Sequence, residues 1–203
     1  MNKPNFIFKV FLFLFAFSVT SAFAQTENKS PAAEPTYEIV LQLLTASNNV
    51  ADKNAVAPAL TAVVKRLKTL YAFSAYRLTT TYLQRTSNSV EYKSLMNDFS
   101  SNPEKTAPAF SDWSLRNLRT LPDSQGRKTI QFDNFRFGAR IPIMVQTFGD
   151  GNGKSAPVLN YESIGINNSR FSLPENEPTV LGSLATSKAD ELMFLVLTVR
   201  AVE

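Results

Sequence analysis

The chain has 203 residues, with 21 Lys and Arg against 17 Asp and Glu, and it contains no Cys and no His. Without Cys there is no disulfide; without His the Ser-His-Asp and Cys-His mechanisms and most zinc or copper sites are excluded. The formal net charge is +4, and the +2 expected once the first 24 residues are removed predicts no strong nucleic-acid or membrane binding.

The first segment has the form of an export signal. Lys3 and Lys9 flank its start, residues 10–16 are continuously apolar, and Ala22-Phe23-Ala24 has the small-x-small form of a cleavage site. The apolar run is shorter than the roughly 20 residues a membrane-spanning helix needs. Cleavage after Ala24 is expected to leave 179 residues, and loss of Lys3 and Lys9 lowers the net charge from +4 to +2. The expected location is therefore exported, periplasmic or secreted, in a bacterium. Residues 25–35 are polar with Pro31 and Pro35, which reads as a flexible lead-in.

The mature chain opens on an alternating segment, 36–45, with Tyr37, Ile39, Leu41 and Leu43 on one face of a strand. Leu60, Val63, Val64, Leu67, Leu70 and Tyr71 then fall at helical spacing, and Pro58 suits a first helical turn. Tyr76 to Thr86 alternates again and reads as a second strand. Strand, helix and strand together predict a βαβ lobe over 36–109, with a trailing segment in which Val90 to Met96 is either loop or short strand.

From Phe110 the pattern changes to strands separated by turn residues, which predicts an antiparallel β-sheet or sandwich lobe over 110–203. Strand candidates are 112–121, 127–143 as one bent strand or two with a bulge at Gly138 and Pro142 at an edge, and 158–171 with a break at Gly165 or Asn167-Asn168. Turns are expected at 122–126, 149–153 and 174–178. The last segment is the most informative. Eight consecutive positions from Leu192 to Val199 are apolar if Thr198 is counted. They contain no Gly or Pro, as in a strand buried on both faces near the middle of a sheet. Thr179 to Thr186 is its expected partner. The fold class that follows is α+β, with the βαβ lobe first and the antiparallel β lobe second.

Chemical motifs are sparse. Gly149-Asp-Gly-Asn-Gly-Lys-Ser155 has part of a phosphate-loop pattern, but Phe148 stands where the first Gly belongs and no helical pattern follows. A hairpin tip is the better reading. The acids Glu91, Asp98, Glu104, Asp112, Asp123, Asp133, Asp150 and Glu162 have no spacing signature, so a glycosidase-like carboxylate pair depends on the fold. Trp113 with Tyr37, Tyr76 and Phe135 has the makings of a sugar platform or of a core, and the core reading is preferred. Asn28-Lys29-Ser30 and Asn167-Asn168-Ser169 are glycosylation sequons that matter only in a eukaryote. Lys65, Arg66 and Lys68 on the predicted helix form either a solvated face or a candidate interaction face. No catalytic residue, cofactor or metal site is assigned.

Three segments resemble the secretin family, the ring-forming outer-membrane channels of bacterial secretion and type IV pilus machines. Leu173-Pro-Glu-Asn-Glu-Pro-Thr-Val-Leu-Gly-Ser-Leu184 is similar to a strand that ends in the family's Gly-Gly-Leu pattern. Glu191 to Val202 is similar to the family's closing strand, and Tyr161-Glu-Ser-Ile-Gly-Ile166 to an earlier Val-Gly-x-x-Leu segment. Ser183 stands where a second Gly is usual and Val199 where a Pro is usual. The resemblance implies a periplasmic module without its own pore, and no functional residue is carried over. The expected function is that of an exported, non-catalytic envelope protein, an accessory or interaction module of a secretion or pilus apparatus, with envelope proteins or itself as partner. The alternatives are an exported hydrolase using paired carboxylates and a carbohydrate- or lipid-binding β module.

Overall fold

The computed structural model describes residues 34–48, 56–96, 108–149, 155–186 and 190–202. The signal segment, its cleavage site, most of the lead-in and the 150–154 tip lie outside the described residues. One compact unit runs from Pro35 to Glu203.

The expected α+β class with a βαβ lobe is corrected here. The described residues are mostly β, in two antiparallel sheets with one short helix. Sheet A has the order β2-β1-β9-β8, built from β1 (Thr36–Ser47), β2 (Ala75–Thr86), β8 (Thr179–Ala185) and β9 (Glu191–Val202). Sheet B takes β3 (Val90–Met96), β4 (Ala109–Arg116), β5 (Arg119–Pro122), β6 (Lys128–Gly149) and β7 (Ser155–Pro174). A 3-10 turn at Pro58–Leu60 leads into the helix α1 (Thr61–Leu70).

The reason for the correction is strand direction. β1 and β2 are adjacent and antiparallel, with Ser47 opposite Ala75 and Tyr37 opposite Thr86. The chain leaves β1 and re-enters β2 at the same end, so α1 lies within a long hairpin connection and not in a parallel crossover. Hydrophobic period reports the type of each element but not which way the next strand runs.

The C-terminal strand occupies the centre expected of it. β9 pairs with β1 along its whole length and with β8 over Leu192 to Leu197. Met193, Phe194, Leu195, Val196, Leu197 and Val199 are all buried. Alternation sends them to two cores. Met193, Leu195, Leu197 and Val199 join Tyr37, Ile39, Leu41 and Leu43 against sheet B, which contributes Trp113, Leu115, Ile130, Phe132, Phe135 and Phe137. Phe194 and Val196 face the other way and pack with Leu44, Ala46 and Tyr76 under Leu60, Val63, Val64 and Leu67. The helix stripe is thus buried through Leu67, but Leu70 is 66% exposed and Tyr71 38%.

Other strand details refine the expectation. Val90–Met96 is a strand paired with β4. β7 is continuous through Gly165 and Asn167-Asn168. Gly138 sits directly opposite Gly165 without a bulge, and the shift in the β6–β7 register falls between Met144 and Gln146. Asn117, Asn176 and Arg170 adopt positive φ, a region that Asn tolerates and Arg disfavours. At 122–126 the Asp123 carboxylate accepts the backbone N–H groups of Gln125 and Arg127. Those bonds and the Arg127 side chain hold its carboxyl below the usual range.

Polar contacts tie the two sheets. The Tyr82 and Ser111 hydroxyls meet at 3.0 Å in the core, and Tyr37 meets Thr120 at 3.3 Å. Burial pushes the Tyr82 phenol above its ordinary value, against the opposing effect of the Ser111 hydrogen bond. The neutral phenol is therefore the form that fits the fold. Its contribution is complete below about pH 10, the unfolded value, and is lost as pH rises through the higher folded value. Tyr82→Phe is expected to lower stability by about 1–2 kcal/mol at pH 8. It should also flatten part of the decline above about pH 10 in denaturant titrations. An unchanged alkaline slope would show that the phenolate forms without disturbing the core.

Candidate interaction surfaces

Sheet B extends beyond the sandwich. β4 pairs with β6 only as far as Phe110 opposite Arg140. Beyond that point, among the described residues, residues 141–149 of β6 pair only with residues 155–162 of β7. Nine residues of antiparallel strand span about 30 Å, so this two-stranded ribbon is a substantial projection. Its alternation continues that of the core. Phe135, Phe137 and Ala139 are buried and Ile141 packs against the core, whereas Ile143, two residues on, is 39% exposed. Val145 is 60% exposed and Val158 36%. At the base of the ribbon Leu95 and Phe110, opposite each other on β3 and β4, are also exposed. Phe110 packs on Tyr161, which in turn lies under the Arg140 guanidinium.

A second surface lies on the outer face of sheet A. A four-stranded sheet is about 19 Å wide and a helix about 10 Å, so one helix leaves room beside it. The uncovered side is a groove of about 560 Å³ between α1 and β8. Ala62, Arg66 and Leu70 form the helix wall; Val180, Ser183 and Phe194 lie along the sheet, and Glu177 and Pro178 belong to the turn at one border. Tyr71 meets the Phe194 ring edge-on at 5.0 Å.

The helix separates the sequence-predicted basic trio. Arg66 lines the groove. Lys68 stands 5.8 Å over the ring of Tyr76, on β2, and Lys65 is exposed. The three therefore do not converge on one point. Beyond the helix, Glu38 is bracketed across strands by Arg85 of β2 and Arg200 of β9, at 2.8 and 2.6 Å. The Arg85 hydrogen bond, aided by Arg200, holds the Glu38 carboxyl below its ordinary value despite partial desolvation.

The proposed aromatic platform is core. Trp113, Tyr37, Tyr76 and Phe135 are each no more than 1% exposed. The candidate acids are dispersed: Glu91 and Asp112 border one depression of about 70 Å³, but Glu91 pairs with Lys93 and Asp112 with Arg136. Asp133 pairs with Arg119, and Asp98, Glu104 and Asp150 lie outside the described residues. Asn167 of the second sequon accepts a hydrogen bond from Asn134 within the β6–β7 ladder. Among the described residues no three Asp or Glu side chains form a metal-binding group, and no helix is long and apolar enough to cross a membrane. The ribbon was not recognised from sequence. Its signal was the alternation of Phe135, Phe137, Ala139, Ile141 and Ile143, longer than one sandwich face needs.

No family model and no curated protein matches the chain. Among solved structures it is similar to the Salmonella SPI-1 type III secretion injectisome secretin InvG, at 9% identity and a TM-score of 0.28, over 100% of this chain and 71% of that one. A second match has the same identity and TM-score, to a chain in the Salmonella basal-body assembly of InvG, PrgH and PrgK, and spans 50% of it. The structural likeness to a secretin is weak, and a TM-score this low carries no argument about shared role.

Proposed function

We propose that this chain is an exported, non-catalytic envelope protein that serves as an interaction module of a secretion or pilus apparatus. The export pattern and the secretin-like wording of the last strands support the setting. The β6–β7 ribbon carries the interaction reading. An isolated two-stranded ribbon is marginally stable in water, and this one presents Ile143, Val145 and Val158 to solvent. Exposed apolar side chains grouped on a projecting element mark a contact surface. The ribbon gains its missing packing when a protein partner covers it.

The test is crosslinking of the mature protein in its native envelope, followed by mass spectrometry. It is run beside a variant carrying Ile143→Asp, Val145→Asp and Val158→Asp. The unsubstituted protein should yield secretion or pilus components, and the variant should lose them while keeping its Trp113 emission. Identical crosslinks from both proteins would remove the ribbon from the interface. Recovery of no apparatus component from either would overturn the functional setting.

A further inference from the structure

The outward face of sheet B goes beyond the ribbon reading and does not depend on it. Trp113, Leu115, Phe135 and Phe137 point into the core, so alternation sends Asp112, Ser114, Arg116, Arg136 and Arg140 to the other side. Phe132 and Phe135 face the core, and so do their partners Phe171 and Asn168. The two residues between them on each strand, Asp133-Asn134 and Ser169-Arg170, therefore turn outward. Three acids on this face each hold a cation: Glu91 with Lys93, Asp112 with Arg136 and Asp133 with Arg119. Arg116, Arg140 and Arg170 are exposed, and among the described residues none of them has an ion-pair partner. The face thus carries a surplus of three positive charges, more than the +2 expected of the whole mature chain.

These arginines border a strip about 20 Å long, because Arg116 stands opposite Asn134, six residues along β6 from Arg140. Gly138 faces Gly165 within it, in a depression of about 280 Å³ bordered by Arg136, Arg140, Ser163 and Asn167. Glycines on a strand face let a ligand approach the main chain closely. Asn134 donates to Asn167, which leaves the Asn134 Oδ1 and the Asn167 Nδ2 without a partner among the described residues. At one end Phe110 packs on Tyr161 beneath the Arg140 guanidinium. Between Arg140 and Arg116 the outward positions of β4, β6 and β7 hold no aliphatic side chain. Such a strip lacks the apolar centre of a protein interface and the apolar face that enters a bilayer, and it suits a hydroxylated anion. We infer that it binds an acidic polysaccharide. Arg116, Arg140 and Arg170 hold carboxylates of the chain, and the free amide groups of Asn134 and Asn167 meet its hydroxyls.

The probe is an oligogalacturonate long enough to cover about 20 Å, titrated into the full mature protein by calorimetry. Its uncharged methyl ester, an oligoglutamate with as many carboxylates, and phosphatidylglycerol vesicles are run beside it. The oligogalacturonate should bind saturably, at least about tenfold more tightly than its ester and about fivefold more tightly than the oligoglutamate, which lacks hydroxyls. Arg116→Gln, Arg140→Gln and Arg170→Gln together should weaken binding at least about tenfold. Asp112→Asn should strengthen it by releasing Arg136. Lys65→Gln, Arg66→Gln and Lys68→Gln together remove the same charge from α1 and should change the affinity less than about twofold. Arg170→Gly relieves a φ of 49°, so it should weaken binding without lowering the thermal midpoint.

Absence of saturable binding would overturn the inference. Equal losses in the two triple variants would reduce the effect to net charge and overturn it as well. Oligoglutamate binding as tightly would assign the face to an acidic protein, and vesicle binding without oligogalacturonate binding would assign it to a membrane; either result removes the polysaccharide. The ribbon variant above keeps all three arginines, so either reading can fail alone.

Discussion

Replacing Trp113 with alanine is expected to lower stability by about 3–5 kcal/mol, the range for truncating a large buried aromatic. Trp113 is 1% exposed and lies in the core between the sheets. Its neighbours are the Tyr82 and Tyr92 rings, at centroid distances of 6.4 and 6.1 Å. Tyr82 comes from sheet A, Tyr92 and Trp113 from sheet B, so the cluster joins the two layers. Alanine removes most of the contact surface from a place where β3, β4 and β6 are fixed by their ladders and do not close in readily.

The indole also has a polar feature that phenylalanine lacks. Its Nε1 is buried with no hydrogen-bond acceptor among the described residues. A buried donor without a partner is a cost, and a shape-matched apolar substitute recovers part of it. Trp113→Phe removes the unpaired donor and leaves a smaller gap than alanine does, so it should cost about 1–2 kcal/mol, well below the alanine value. Urea unfolding followed by far-ultraviolet circular dichroism checks both, since the only Trp of the chain is lost as a fluorophore. Near-equal losses for the two variants would mean that the N–H has an acceptor and that its hydrogen bond, not packing, dominates.

Particular elements show how much of this fold the sequence contains. The run from Leu192 to Val199 has apolar residues at both parities, and only a strand covered on two faces accommodates that. Its central place in sheet A, with the helix on one side and sheet B on the other, follows directly. The one-sided alternation of Tyr37, Ile39, Leu41 and Leu43 was equally legible. What sequence did not reveal was pairing. β1 binds β9 across more than 140 residues of chain, with Tyr37 opposite Ala201, and no local pattern encodes a partner so distant. The parallel crossover expected for β1, α1 and β2 failed for that reason. The interaction surfaces were less legible still. The basic trio lies on α1 but its members meet different surroundings, and the groove exists only because β8 lies outside the cover of α1. Leu70 and Tyr71 looked like ordinary continuation of a buried stripe. Their exposure is decided by where the sheet ends.

Gly165→Ala is expected to destabilise the protein by about 3 kcal/mol, near the upper end of the usual range for overpacking, whereas Gly138→Ala should cost under about 1 kcal/mol. The two glycines face each other across β6 and β7, so by position and composition they look equivalent. Their surroundings differ. A methyl group on Gly165 would run into the carbonyl oxygen of Phe137 and come within 3.1 Å of the Gly138 Cα. Those are backbone atoms, and Phe137 is anchored by a buried side chain. Relief requires β7 to move away from β6. A methyl group on Gly138 would instead meet the Asp112 carboxylate, the end of a side chain free to swing outward. It would give up only its exposed 3.4 Å pair with Arg136. A glycine within a strand marks a close backbone approach, and here that approach is at Gly165. It lies at the base of the ribbon, so displacement of β7 there also shifts residues 155–162. Gly165→Ala should thus reduce the crosslinks assigned to the ribbon even under conditions where the sandwich remains folded, and Gly138→Ala should leave them intact. Equal stability losses at the two positions would show that the β6–β7 ladder adjusts as a unit, and the ribbon's direction would then not be set by the close contact at Gly165.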